Sequence, residues 1–407
     1  LCCRYAKEMK SNIVIEKTMD RIECITGADF VINTALHVNY EMWRRGWKIA
    51  QDKGYRYGGS MHIMHDEAFW INYYQFGLME SIYLDIQRVC PNAWYLVVAN
   101  PVLAGITYLK RKYPDSKIVG LCHGFNGVFV VAGEMGYERE QVQFELSGVN
   151  HMVWMNHFTC DGKDGFKLLD EWIEKDAPAH FEEIGYCSWT GPKPVDLYQR
   201  FGVFPIGDTG NPGGGAWGYW YHTDDEIQKR WKEDPERWFK EVYFEGNENM
   251  IAQISKAVAD ENICVTEMFP PVYPPHEPMV PLIESIACDI PRVIITNILN
   301  DGEFVQGVPK DFEVEIPTLV SGNGIQGIRC KKLPQPIIAH ILRDRVAPVL
   351  VELEAYEKGD YEMLLDMIMM DPWTRSEKQA RELLDEILSQ PELSEMKEHY
   401  KKRMPEE

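Results

Sequence analysis

Apolar residues recur along the chain with three different periods, and each marks a different kind of element. Phe69, Tyr73, Phe76, Met79, Tyr83, Ile86 and Cys90 stand three or four residues apart across 67–90, the spacing that lines one face of an α-helix. Trp94-Tyr95-Leu96-Val97-Val98-Ala99 is almost continuously apolar and is stopped by Asn100-Pro101, as expected of a parallel strand covered on both faces. Residues 142–160 alternate, which predicts antiparallel strands.

The first 125 residues interleave the first two patterns. Ile13-Val14-Ile15 reads as a short strand, Asp29 to Ala35 as a buried one, 39–53 and 67–90 as helices. A helix running to about 113 and a strand over Lys117–His123 follow. Repeated βα units predict an α/β fold with a Rossmann-like, doubly wound parallel sheet. In such sheets ligands sit beyond the carboxyl ends of the strands, which singles out Asn33-Thr34, Asn100 and Cys122-His123. The rest reads as α+β, dividing the chain into 1–145 and 146–407. It holds a glycine-rich loop at 207–215, charged helix over 223–258, strands at 292–300 and 312–330, and helices from Pro336 with breaks near Asp360, Asp371 and Ser376. No repeat or low-complexity linker separates the halves, so they are expected to share an extensive interface.

Composition narrows the class. The 407 residues are 45% hydrophobic and 26% charged, which excludes a disordered or fibrous protein. No apolar run is long enough to span a membrane. The charge is 42 − 63 = −21, a poor basis for binding nucleic-acid phosphates. The ten cysteines are scattered without a CxxC pair, as expected of buried thiols in a reduced, cytoplasmic protein. The chain opens on Leu1-Cys2-Cys3-Arg4, which reads as the end of a helix and leads us to expect a preceding segment.

Candidate chemistry is weighed residue by residue. Gly322-Asn323-Gly324-Ile325-Gln326-Gly327 matches GxGxxG, but a dinucleotide turn needs a helix after it. Here Pro334 and a strand-like continuation follow, so a hairpin turn is expected. Cys122, at a strand end before a helix N-terminus, is either a buried thiol or a thiolate favoured as ligand or nucleophile. His151 is a structural histidine, or with Cys122 completes an open mixed S/N metal half-site. Asp66 is a helix N-cap or, with Asp208, an acid/base pair; Asp208 lies in a turn where Asp is common for backbone reasons. His62 and His65, three apart, could bind a metal, but nothing else nearby supports it.

These pieces resemble glycoside hydrolase family 4, the NAD- and manganese-dependent glycosidases. The resemblance rests on Gly27 to Ala35, Ala99-Asn100-Pro101, Gly120-Leu121-Cys122-His123-Gly124-Phe125, Gly148-Val149-Asn150-His151 and Pro205-Ile206-Gly207-Asp208-Thr209, in the family's order. It implies a lactate/malate dehydrogenase-like fold whose domain 1–145 binds NAD and whose domain 146–407 is catalytic. It further implies hydride transfer from sugar C3 to NAD, removal of the C2 proton, elimination of the aglycone, water addition and hydride return, an exception to two-carboxylate glycosidases. Carried over by resemblance, Cys122 and His151 hold Mn²⁺ or another divalent metal, Asp208 is the C2 base and Asp66 the leaving-group acid. Asn33, Thr34, Ala35 and Asn100 line the cofactor, while Asn100, His123 and Asn150 hold sugar hydroxyls. Cys-His-Gly-Phe points to α-D-glucuronides, with α-glucosides the alternative; a lactate/malate-type dehydrogenase is the rival. A homodimer or homotetramer is implied. The family's opening strand, glycine-rich phosphate turn and acidic ribose-binding residue have no counterpart here, which we expect to reflect omission upstream.

Overall fold

The computed structural model describes residues 1–56, 61–65, 67–272 and 276–400, with the backbone alone at 213–216. Three short strands, β1 (Phe30–Asn33), β2 (Trp94–Val97) and β3 (Ile118–Gly120), pair in parallel. Alternation explains their apolar runs. Val31, Tyr95, Val97 and Ile118 pack against the helices Phe69–Val89 and Val102–Lys112, while Leu96 and Val119 meet Leu282 and Ile294 on the opposite face. Burying both faces of β2 and β3 leaves few positions for polar side chains, whereas Ile32 on the edge strand β1 is exposed.

The sheet then continues without a break into antiparallel strands. These are β4 (Val142–Val149), β5 (Met152–Cys160), β6 (Lys163–Asp164), β7 (Phe204–Ile206), β8 (Arg292–Leu299), β9 (Glu313–Ser321) and β10 (Gly324–Gly327). The spatial order is β1-β2-β3-β8-β9-β4-β5-β6, with β10 on β9 and β7 on β5. One row of paired residues crosses it: Asn33, Val97, Gly120, Asn297, Glu315, Gly148, Val153 and Ile206.

Several local expectations change. Ile13-Val14-Ile15 forms no strand; Val14 is 83% exposed, since three apolar residues without a partner strand gain nothing from extension. The 223–258 stretch is broken once, between Asp225–Trp231 and a helix that starts at Pro235 and runs through a π-helical segment, Phe239–Glu245, to Ala259, because Lys232 turns left-handed and Pro235 cannot continue a helix. Gly207–Thr209 and Pro212–Tyr221 are 3₁₀ turns rather than an open loop. Gly322-Asn323 is the two-residue turn of the β9–β10 hairpin, so this GxGxxG leads into a strand and not into the helix a dinucleotide turn needs. The breaks at Asp360 and Ser376 are N-caps, each side chain accepting from backbone N–H groups of the following turn. Among the described residues no helix is long and apolar enough to cross a membrane, and the cysteines are unpaired.

The helix Cys2–Glu8 docks through its last residue. The Glu8 carboxylate accepts from Thr266 N at 2.7 Å and Val265 N at 3.1 Å, and these bonds lower its pKa from 4.5 to about 2. The charged form is favoured in the fold, so its contribution is full above pH 4.5 and fades as pH falls toward 2. We therefore expect Glu8→Gln to lower the melting temperature at pH 6 and to match the parent increasingly closely in melts taken at pH 4 and below.

Candidate active site

The β4–β5 connection is a two-residue turn, Asn150-His151, between the paired Val149 and Met152. Gly148 precedes it at φ +157, where an added Cβ would fall 2.2 Å from the Met152 carbonyl oxygen. Only glycine lets the strands close here. His151 itself takes φ +58, a costly backbone for a side-chain-bearing residue that clusters at functional positions. The buried Arg345 braces it, Nη2 donating to the His151 carbonyl at 3.4 Å. Burial pulls that guanidinium down to about 10.

Pairing of Val153 with Ile206 places the turn after β7 opposite His151. Thr209 Oγ1 accepts from Val153 N at 2.7 Å and pins the turn to β5. Asp208 Oδ2 lies 3.6 Å from His151 Nε2, and its Oδ1 accepts from Asn211 Nδ2 at 3.2 Å. The loop after β3 arrives from the other side. Gly124 N donates to Cys122 Sγ at 3.4 Å, and a Cβ on Gly207 would lie 2.9 Å from Gly124 Cα. The two backbones touch with no side chain between them.

Electrostatics reverse one expectation. Cys122 sits before a helix N-terminus, yet its thiol is pushed well above the usual value, by burial first and then by Glu315, Asp208 and Glu277. One amide donor does not outweigh three carboxylates. A divalent cation complements this field and deprotonates a coordinating thiol outright, and thiolate with imidazole is a donor set such ions accept. The residues present fit a metal. Among the described residues no three His, Cys, Asp or Glu side chains converge on one point, so Cys122 and His151 would be a half-site with its other positions open.

The remaining candidates divide. His123 is exposed, and its Nδ1 lies 2.6 Å from Glu277 Oε1; that hydrogen bond raises the imidazole pKa. Asn150 is buried, N donating to Glu313 Oε2 at 3.0 Å and Nδ2 to Glu315 Oε2 at 2.9 Å. Asn33 turns inward, Nδ2 donating to Tyr95 OH at 3.0 Å and Oδ1 accepting from Ala35 N at 3.0 Å. It shapes the ledge on which Thr34 and Ala35 are exposed. Asn100 joins that ledge through the buried Gln75, whose Nε2 donates to the carbonyls of Asn100 at 2.8 Å and Ala35 at 3.2 Å. This ledge lies beyond the carboxyl ends of β1 and β2, the side on which sheets of this kind bind ligands. Asp66 lies outside the described residues; the N-cap of the helix Phe69–Val89 is Ala68. His62 is buried and lowered to about 3 by that burial, while His65 meets His151 edge-on at 5.7 Å.

Sequence reasoning assigned no role to Gln75, Arg345, Glu277 or the Glu313/Glu315 pair. The last had a signal: Glu313-Val314-Glu315-Ile316-Pro317 alternates two carboxylates with apolar residues. Gln75, in the apolar first half of its helix with Asn72 three residues before it, is a fainter one.

Comparison with known proteins places this geometry. The family model described as family 4 glycosyl hydrolase matches residues 1–136, and its C-terminal domain model matches 146–374. An α-galacturonidase of Thermoanaerobacterium saccharolyticum is 24% identical over 329 residues, which is 74% of this chain and 66% of that protein. An α-glucosidase of Erwinia rhapontici is 23% identical over 416 residues, 94% of this chain and 86% of that protein. The structure of a 6-phospho-α-glucosidase from gut microorganisms, in complex with NAD and glucose-6-phosphate, has a TM-score of 0.74 at 19% identity, covering 94% of this chain and 85% of that one. At that identity the likeness concerns the fold.

Proposed function

This chain belongs to the family 4 glycosyl hydrolases, and from that premise we propose that it hydrolyses O-glycosidic bonds of α-glycosides with NAD and a divalent metal such as Mn²⁺. The observation that carries this is the meeting of three loops, with Asp208 3.6 Å from His151 and felt electrostatically by Cys122. A related 6-phospho-α-glucosidase structure is described as a complex with NAD and Mn²⁺. When bound, NAD takes and returns a hydride at C3 while the cation polarises sugar oxygens. Cys122 and His151 would hold the cation. Asp208 would remove the C2 proton, Asp66 would protonate the leaving group, and His123, Asn150 and Asn100 would hold hydroxyls. Thr34 and Ala35 would meet the cofactor, with Asn33 behind them.

For the sugar we favour an α-D-glucuronide, from Cys122-His123-Gly124-Phe125 and from relatives named as α-galacturonidases, which also act on a hexuronic acid. A second reading, an α-glucoside, draws on one observation: the charged groups acting on the Cys122 thiol are Glu315, Asp208 and Glu277, all anionic. Such a field favours a neutral sugar.

The test uses aryl α-glucuronide, α-galacturonide and α-glucoside with Mn²⁺, NAD and a thiol reductant in D₂O. We expect aglycone release, deuterium at C2 and no net NADH. Product without deuterium at C2 would overturn the elimination route, and stoichiometric NADH would point to a dehydrogenase.

A further inference from the structure

Glu313 and Glu315 stand two residues apart on β9 and are fully buried at the middle of the sheet. Two buried carboxylates side by side are costly unless polar groups meet them, and the groups that meet them are at the site. Glu313 Oε2 accepts from Asn150 N at 3.0 Å and its Oε1 from Asn297 Nδ2 at 2.7 Å. Glu315 Oε2 accepts from Asn150 Nδ2 at 2.9 Å and from Asn297 Nδ2 at 3.1 Å. Gly120 makes this possible, since a Cβ there would lie 2.8 Å from that of Asn297.

Glu315 Oε2 accepts from two amide groups at once, and an oxygen engaged in this way faces the NH₂ end of an amide. Glu315 takes the NH₂ of Asn150 and leaves Oδ1 as that side chain's remaining group. That oxygen is buried and has no hydrogen-bond partner among the described residues. A buried acceptor left unmet is expensive, and a donor brought by the substrate satisfies it.

We infer that Glu315 is a positioning residue, holding the Asn150 amide so that its oxygen receives a sugar hydroxyl as hydrogen-bond donor, while Glu313 fixes the turn that presents His151. The inference rests on the glycosidase reading above for the identity of the ligand. It makes Asn150 a one-way reader: a hydroxyl that donates is accepted, and a substituent that only accepts, such as a methoxy or a fluorine, is refused.

The experiment is a double-mutant cycle of Glu315→Gln and Asn150→Ala in the NAD- and Mn²⁺-loaded protein. It is read as kcat and KM on the best aryl α-glycoside, and as Kd for free glucuronate and glucose by titration calorimetry. Glutamine keeps the size of Glu315 but offers either end to Asn150. Glu315→Gln is expected to lower kcat/KM about tenfold, the usual scale for a residue that orients a ligand-holding group, with most of the loss in KM. In the Asn150→Ala background the same change should cost less than about twofold, because the two act as one unit. Losses that multiply, or a Glu315→Gln protein equal to the parent, overturn the inference. Coupled losses in Kd with no glycoside cleaved sink the glycosidase reading alone. No sugar binding by the parent protein sinks both.

Discussion

Replacing Asp208 with Asn is expected to lower kcat on the preferred α-glycoside by about 10²–10⁴-fold, the range supplied by a positioned general base, and to leave KM nearly unchanged. The amide has the shape of the carboxylate and still accepts from Asn211 Nδ2, which bonds Asp208 Oδ1 at 3.2 Å. What it lacks is the ability to take a proton. The variant therefore separates holding from chemistry. Binding of substrate, which we propose rests on Asn100, His123 and Asn150, should survive. Exchange of the C2 hydrogen with D₂O should slow by the same factor as kcat, because both report one proton removal. A variant that keeps the parental exchange rate would assign the base to another residue, and His151, 3.6 Å away, would be the first to examine.

Much of this site is legible in the sequence because of how the strands pair. The row Asn33–Val97–Gly120–Asn297–Glu315–Gly148–Val153–Ile206 lies at or next to the last residue of β1, β2, β3, β4 and β7. Asn100, Cys122, His123, Asn150, His151 and Asp208 each follow it by two or three residues. A strand end is a change from apolar to polar, and that change is written in the sequence. Three kinds of feature are not. Register between distant strands is one: nothing local says that Val153 pairs with Ile206, and so nothing says that Asp208 faces His151. Field is another, since the rise in the Cys122 pKa comes from burial and from carboxylates up to 193 positions away. The third is support from behind. Arg345 braces the His151 carbonyl and Gln75 ties Asn100 to Ala35, and each is a single polar residue whose partner is known only once the helices are packed. The same lack of long-range information produced the false strand at Ile13-Val14-Ile15, where the local pattern was right and no neighbour arrived.

Gly207→Ala is expected to cut kcat/KM by about 10²-fold, the scale on which roughly 1 Å of misplacement acts, whereas Gly124→Ala at the same contact retains most of the activity. The two glycines face each other but are not equivalent. Gly207 has φ +58, and its added Cβ would lie 2.9 Å from Gly124 Cα and 3.0 Å from the Gly124 carbonyl oxygen. The left-handed backbone alone costs about 1–2 kcal/mol with a side chain present, and the clash is with backbone, which cannot rotate out of the way. Relief comes only by moving the Gly207-Asp208-Thr209 turn away from the loop that carries Cys122, and Asp208 moves with it. A Cβ on Gly124 instead meets Cys122 Sγ at 3.6 Å and Gly207 Cα at 3.8 Å, ordinary van der Waals contact. The pair of variants thus tests whether close backbone approach, rather than any side-chain bond, holds Asp208 against Cys122. The stabilities should differ by little more than the backbone strain, while the activities diverge far beyond it. Equal activity losses in the two would show that loop separation is not what the site depends on.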